Sequence, residues 1–147
     1  MAESCINIHP NVERVGISGT LIDIIVDKMV DEVTRLISRI KPDDDPRAEY
    51  GNYWSKGSYD HEDCLILDES YSDYDISYGC EISWEYRAGD EYWSDPACYR
   101  SYSDIRNQTG CVYGVEISTP KGLDVRQEDC EQIIEQVNQI IKERTLG

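Results

Sequence analysis

One stretch, Tyr74 to Arg87, restricts the fold more than any other part of this chain. Its even positions read Tyr74, Ile76, Tyr78, Cys80, Ile82, Trp84 and Tyr86; its odd positions read Asp75, Ser77, Gly79, Glu81, Ser83, Glu85 and Arg87. Successive side chains on a β-strand point to opposite faces, so this pattern predicts a long strand with one packed and one wet face. A strand wetted on one side belongs in an antiparallel sheet. Cys111 to Ser118 alternates again, with Tyr113, Val115 and Ile117 on one side, and Cys64-Leu65-Ile66-Leu67 reads as a short buried strand. Between them the signals weaken. Residues 47–62 are rich in Gly, Ser and Tyr without clear periodicity, Ala88-Gly89-Asp90 reads as a turn, and 91–104 fits a second strand or a loop.

Two helical stripes flank this region. Ile22, Ile25, Val26, Met29, Val30, Val33, Leu36, Ile37 and Ile40 recur at three- and four-residue spacing, which predicts an amphipathic helix over about 20–41. Ser18-Gly19-Thr20 offers capping residues, and Pro42 stops the helix. Near the C-terminus Cys130, Ile133, Ile134, Val137, Ile140 and Ile141 form a second stripe, with Asp124 and Gln127 spaced as a capping box ahead of it. The expected fold is α+β. An antiparallel sheet of three to five strands comes from the middle of the chain, with the N-terminal and C-terminal helices packed on one face. The 147 residues suit a single domain spanning 1–147.

Charge is distributed unevenly over that frame. Residues 43–104 hold 17 Asp and Glu against 4 Lys and Arg, within a chain whose formal net charge is −16. The same segment carries 10 of the 11 Tyr and all three Trp, and the chain has no Phe. Tyrosine joins aromatic bulk to a polar tip, a combination favoured at wet interfaces. So acidic a segment argues against direct nucleic-acid binding, which needs Lys and Arg for phosphates, and against anionic membrane surfaces. No apolar run reaches membrane-spanning length.

Other chemistries find little support. The six cysteines, Cys5, Cys64, Cys80, Cys98, Cys111 and Cys130, include no CxxC pair. With no secretory signal visible at the N-terminus, they read as free thiols in a reducing cytosol. His61-Glu62-Asp63-Cys64 offers four metal-ligand types in a row, yet neighbours on a strand point to opposite faces and cannot gather on one ion. Asp43-Asp44-Asp45 and Asp73-x-Asp75-x-Ser77 lack the glycine and glutamate frame of a calcium loop. Nucleophilic catalysis would have to draw its base from His9 or His61, and neither sits in a recognisable arrangement. No cofactor and no metal site is implied, and the chain is not expected to be an enzyme.

These observations point to binding. In composition alone the chain is similar to small acidic inhibitors of phages and bacteria, such as anti-restriction, anti-CRISPR, nuclease-inhibitor and toxin-immunity proteins. The expectation is a cytoplasmic, acidic protein that occupies the basic surface of a nucleic-acid-handling protein without touching nucleic acid or membrane itself; a homodimer stays open. Its expected binding residues are Asp75, Glu81 and Glu85 on the wet strand face, with Asp90, Glu91, Tyr92, Trp93 and Asp95 beside them. Two alternatives belong to other classes: an assembly subunit or small-ligand sponge, and a small enzyme using a divalent metal.

Overall fold

In the computed structural model, residues 14–40, 54–91 and 100–146 are described. The elements run β1 (Arg14–Val15), α1 (Gly19–Ser38), β2 (Ser55–Leu65), a 3₁₀ turn (Glu69–Tyr71), β3 (Asp75–Glu91), β4 (Arg100–Ser118), β5 (Asp124–Val125) and α2 (Gln127–Leu146). The strands form one five-stranded sheet in the order β1-β5-β4-β3-β2. The fold is α+β, as the two stripes and the alternating strand require. The sheet is mixed rather than purely antiparallel, because the short β1 runs parallel to β5. That pairing joins the lead into α1 with the lead into α2.

Both helices cover the same face. Alternate residues Ile76, Tyr78, Cys80 and Ile82 of β3 are buried, together with Val112, Val115 and Ile117 of β4. Against them lie Leu21, Ile25, Met29 and Val33 of α1 and Cys130, Ile133, Val137 and Ile141 of α2. The approach is close at Gly110, where an added Cβ would come within 2.9 Å of Val33 and 3.0 Å of Ile82. Ser18 caps α1, its hydroxyl accepting from the Leu21 N–H at 3.1 Å. Asp124 does not cap α2: it lies in β5 opposite Ser118. Asp129, in the first turn of α2, ties the chain together instead. Its buried carboxylate accepts from Ile17 N–H at 3.1 Å and from Arg126 at 3.4 Å.

β4 is longer than its neighbour. It has 19 residues against 17 in β3, and two register shifts absorb the difference. Gly79 pairs with Gly114 but Cys80 with Val112, so Tyr113 is supernumerary; a second extra residue falls between Thr109 and Arg106. Asn107 there has a φ of 56°, a left-handed conformation that asparagine tolerates better than most residues. These are β-bulges, which bend a strand and re-aim side chains.

The first bulge is held from behind. The Asn138 side chain of α2 accepts from Val112 N–H at 2.8 Å and donates to Val112 C=O at 2.9 Å. Both backbone groups of Val112 therefore face away from β3, and Cys80 opposite it turns its own backbone toward β2. The long strand also runs on past the expected turn. Ala88, Gly89 and Asp90 pair with Ser103, Tyr102 and Ser101, because a partner strand overrides the local turn tendency of Gly and Asp. The weakly periodic 55–65 is a full strand as well, paired with β3 along its whole length.

Candidate functional site

Asp75, Glu81 and Glu85, of the expected binding residues, lie on the sheet face opposite the helices, and that face has two parts. The middle is built from β2, β3 and β4. Asp60 stands directly across from Glu81, and Glu62 across from Gly79. Asp60, Glu62 and Glu81 are all exposed, and among the described residues none is in an ion pair. The strand register sharpens this. Cys80 bonds toward β2, so it and His61 form a hydrogen-bonded pair, and the adjacent Asp60–Glu81 pair is of the non-hydrogen-bonded kind. In such pairs the Cα atoms lie about 4.5 Å apart and the side chains are closest. Like charges directly opposite are destabilising, by about 0.8 kcal/mol at a separation of about 5 Å in water.

Tyr113 sits in the centre of these acids. It is 53% exposed, although simple alternation puts it on the buried side with Val115 and Ile117. The bulge throws it outward. Its ring lies over Gly79, where an added Cβ would meet the ring at 2.8 Å, so a side chain at that position would push the tyrosine off. Partial loss of solvation, followed by Asp60, Glu62, Cys80 and Glu81, raises its hydroxyl above the ordinary tyrosine value. Beside it is a shallow depression of about 510 Å³ lined by Glu62, Cys64, Ser77, Gly79, Tyr113 and Glu116.

The far part lies further along β3 and β4, and its charges are paired. Glu85 accepts from Arg106 at 2.8 Å and from Asn107 at 2.6 Å. The hydrogen bond from Arg106, then that from Asn107, holds the Glu85 carboxyl below the usual glutamate range. Arg87 pairs with Asp104 at 2.9 Å. Both guanidinium groups stack on the Trp54 ring, Arg106 at 3.9 Å and Arg87 at 4.7 Å from its centroid.

The expected site residues thus separate. Glu81 belongs to the unpaired middle patch, and Glu85 to the paired end. Asp75, exposed at the start of β3, stands opposite Ser118. Asp90 and Glu91 fall at the end of β3, paired through the backbone with Ser101 and Arg100. Tyr92, Trp93 and Asp95 lie outside the described residues, as do Asp43-Asp44-Asp45. Sequence reasoning missed Asp60, Glu62 and Tyr113. Asp60 and Glu62 were hidden because β2 has no periodic signal; for Tyr113 the signal was Gly114 beside it, since glycine inside a strand pattern marks a bulge.

The four-residue run His61–Cys64 splits between faces. Glu62, Asp63 and Cys64 all border the depression, but by register Glu62 and Cys64 share the open face and His61 and Asp63 the other, 3.7 Å apart. Among the described residues, no three His, Cys, Asp or Glu side chains are grouped to hold a metal ion. Cys64, Cys80, Cys111 and Cys130 are free thiols; Cys5 and Cys98 lie outside the described residues. No described helix is long and apolar enough to cross a membrane. No family model, curated protein or solved structure matches the chain.

Proposed function

We propose that this chain is a binding protein whose open sheet face occupies the basic surface of a nucleic-acid-handling protein, as an inhibitor or nucleic-acid mimic. The observation that carries this reading is the Asp60–Glu81 pair with Glu62 beside it. Three exposed carboxylates sit on adjacent strands, and among the described residues none of them is in an ion pair. Overall solubility does not require acids at directly opposed positions, and the opposition costs stability. A partner's Lys or Arg set between them converts that cost into attraction. Tyr113 adds an exposed aromatic ring to the same patch, a residue type that concentrates binding energy at interfaces and takes up cations on its face.

Magnitudes narrow the kind of mimicry. Carboxylates two residues apart on a strand are separated by about 6.7 Å, whereas duplex DNA carries a charge every 1.7 Å or so along its axis. The patch is sparser than a duplex. It competes for a few Lys and Arg side chains rather than copying a whole footprint.

The test begins with partners captured at low salt and released at high salt. Each captured protein is assayed for DNA binding with and without this chain. Wild-type protein is expected to displace the DNA, with association slowing as salt rises. The double variant Asp60→Lys/Glu81→Lys is expected to lose displacement while keeping its thermal midpoint within a few degrees. Unchanged binding and unchanged salt dependence in that variant would overturn the reading.

A further inference from the structure

We propose that the free edge of β2 takes up an extended, basic segment of the partner as a sixth strand of the sheet. The inference rests on the reading above, because it too needs a basic partner, but it concerns backbone pairing rather than charge alone.

Among the described residues, β2 is the terminal strand of the sheet. Two separate observations fix which of its backbone groups face outward. Asn138 takes both backbone groups of Val112, so Val112 faces away from β3 and its opposite, Cys80, faces β2. Cys80 is paired with His61, so His61 and every second residue of β2 from it bond inward. Independently, the Cys64 N–H donates to the Asp63 carboxylate at 2.8 Å, which marks Cys64 as outward. The two agree. Lys56, Ser58, Asp60 and Glu62 therefore present their N–H and C=O groups along the free edge, and among the described residues nothing bonds to them.

Outward residues of an edge strand are a ready template for another chain. Here the side chains select what can pair. Those of Lys56, Ser58, Asp60 and Glu62 all rise on the open face, and Glu81 stands behind them on β3. An added strand with Lys or Arg at alternate positions sets its charges beside Asp60 and Glu62, within reach of Glu81. An acidic strand meets like charges directly opposite. A second copy of this chain brings another −16 to the same edge, so charge complementarity favours a basic partner over self-pairing.

Ser58→Pro isolates the backbone contribution. The lost N–H points outward, so the ladder to β3 stays intact, and proline is tolerated on an edge strand. The probe is a peptide of alternating Lys and Thr, alongside the same peptide N-methylated at every second residue, which keeps the charge and removes strand pairing. Binding to the wild-type protein is expected to slow amide exchange at Ser58, Asp60 and Glu62. Exchange at Cys64, already bonded to Asp63, is expected to stay unchanged. Ser58→Pro in the protein, or N-methylation of the peptide, is expected to weaken binding by about tenfold or more, with the melting transition of the variant retained as proof of folding.

Each other outcome is decisive. If Ser58→Pro and the methylated peptide bind as well as the originals while Asp60→Lys/Glu81→Lys abolishes binding, strand addition fails and the basic-surface reading stands. If the charge reversals change nothing, both fail. If sedimentation shows a dimer that Ser58→Pro dissolves, and the peptide leaves amide exchange unchanged, the edge belongs to a second copy and the proposal is overturned.

Discussion

Along the open face the acids at the middle of β3 and those at its far end are treated in opposite ways. Glu85 has Arg106 and Asn107, and Asp104 has Arg87, with both arginines stacked on Trp54. Asp60, Glu62 and Glu81 are in no ion pair among the described residues, and Tyr113 stands beside them. The far end is a finished surface: its charges offset locally and its aromatic ring is covered by guanidinium groups. The middle is unfinished, with charge and an aromatic ring both presented outward. The presence of acids, which both parts have, therefore does not locate a binding surface. Pairing does.

Five outcomes would break or sharpen that contrast. The largest is a control across the thickness of the sheet. Ile82, adjacent to Glu81, is fully buried. Ile82→Asp places an unpaired charge in the core and is expected to cost about 3–5 kcal/mol, seen as collapse of the urea unfolding midpoint. Glu81→Lys, one residue away, is expected to leave that midpoint nearly in place. Equal losses would mean that the open face is not open.

Next is the support behind the middle patch. Asn138→Leu leaves the Val112 N–H and C=O without their partner, at a cost of about 2 kcal/mol. Because that bond pair holds the bulge that aims Tyr113, partner binding should weaken more than the stability loss explains. Binding that is unaffected in the folded variant would detach Tyr113 from the function.

At the far end Arg106→Ala is expected to cost about 1 kcal/mol through the lost stack on Trp54 and to leave partner binding unchanged. It also alters the acid limb of stability. Glu85 has a depressed folded value, so its contribution is full above the ordinary glutamate value of about 4.3 and is lost as pH falls through the lower folded value. The gap between wild type and Arg106→Ala should therefore narrow as the solution is acidified below about pH 4. A gap that stays constant with pH would argue that Glu85 is not held by Arg106.

A smaller effect carries the opposite sign. Asp60→Asn relieves the like-charge opposition to Glu81 and is expected to raise stability by about 0.2–1 kcal/mol while weakening the partner. A variant that is both less stable and unimpaired in binding would remove the main support for the proposed function. Smallest in stability is covalent labelling. Cys64 and Cys111 are exposed, whereas Cys80 and Cys130 are buried. Burial pushes the Cys80 thiol up to about 11 and raises that of Cys130. A maleimide should modify Cys64 and Cys111 in the native protein and spare the other two. Because Cys111 is paired with Glu81, a bulky label there should block the partner without shifting the melt.

What the sequence disclosed follows the same division. β3 from 75 to 87 was legible because it lies inside the sheet, holds continuous register with β2, and buries one face. The helices were legible because each buries one stripe. β2 was not, since an edge strand with Leu65 as its one buried side chain has no alternation to read. The first half of β4 was hidden by its bulges: Ile105 packs inward, then Gly110 and Val112, then Val115 and Ile117, so the inward positions pass from odd to even and back. At the candidate site, Glu81 and Glu85 look equivalent on one alternating face. Their difference depends on Arg106, 21 residues along the chain from Glu85, and no local pattern carries that.

The bulge at Tyr113 has a consequence for how this strand tolerates changes of length. Removing an ordinary residue from β4 would turn every side chain up to the next bulge onto the wrong face. Removing Tyr113 would not: Val112 would stay inside, Gly114 outside and Val115 inside, with regular pairing to β3 restored. Tyr113 is thus the extra residue of the bulge, and its ring lies above Gly79. A chain shortened by that single residue is the cleanest available separation of what this sheet needs in order to fold from what it displays.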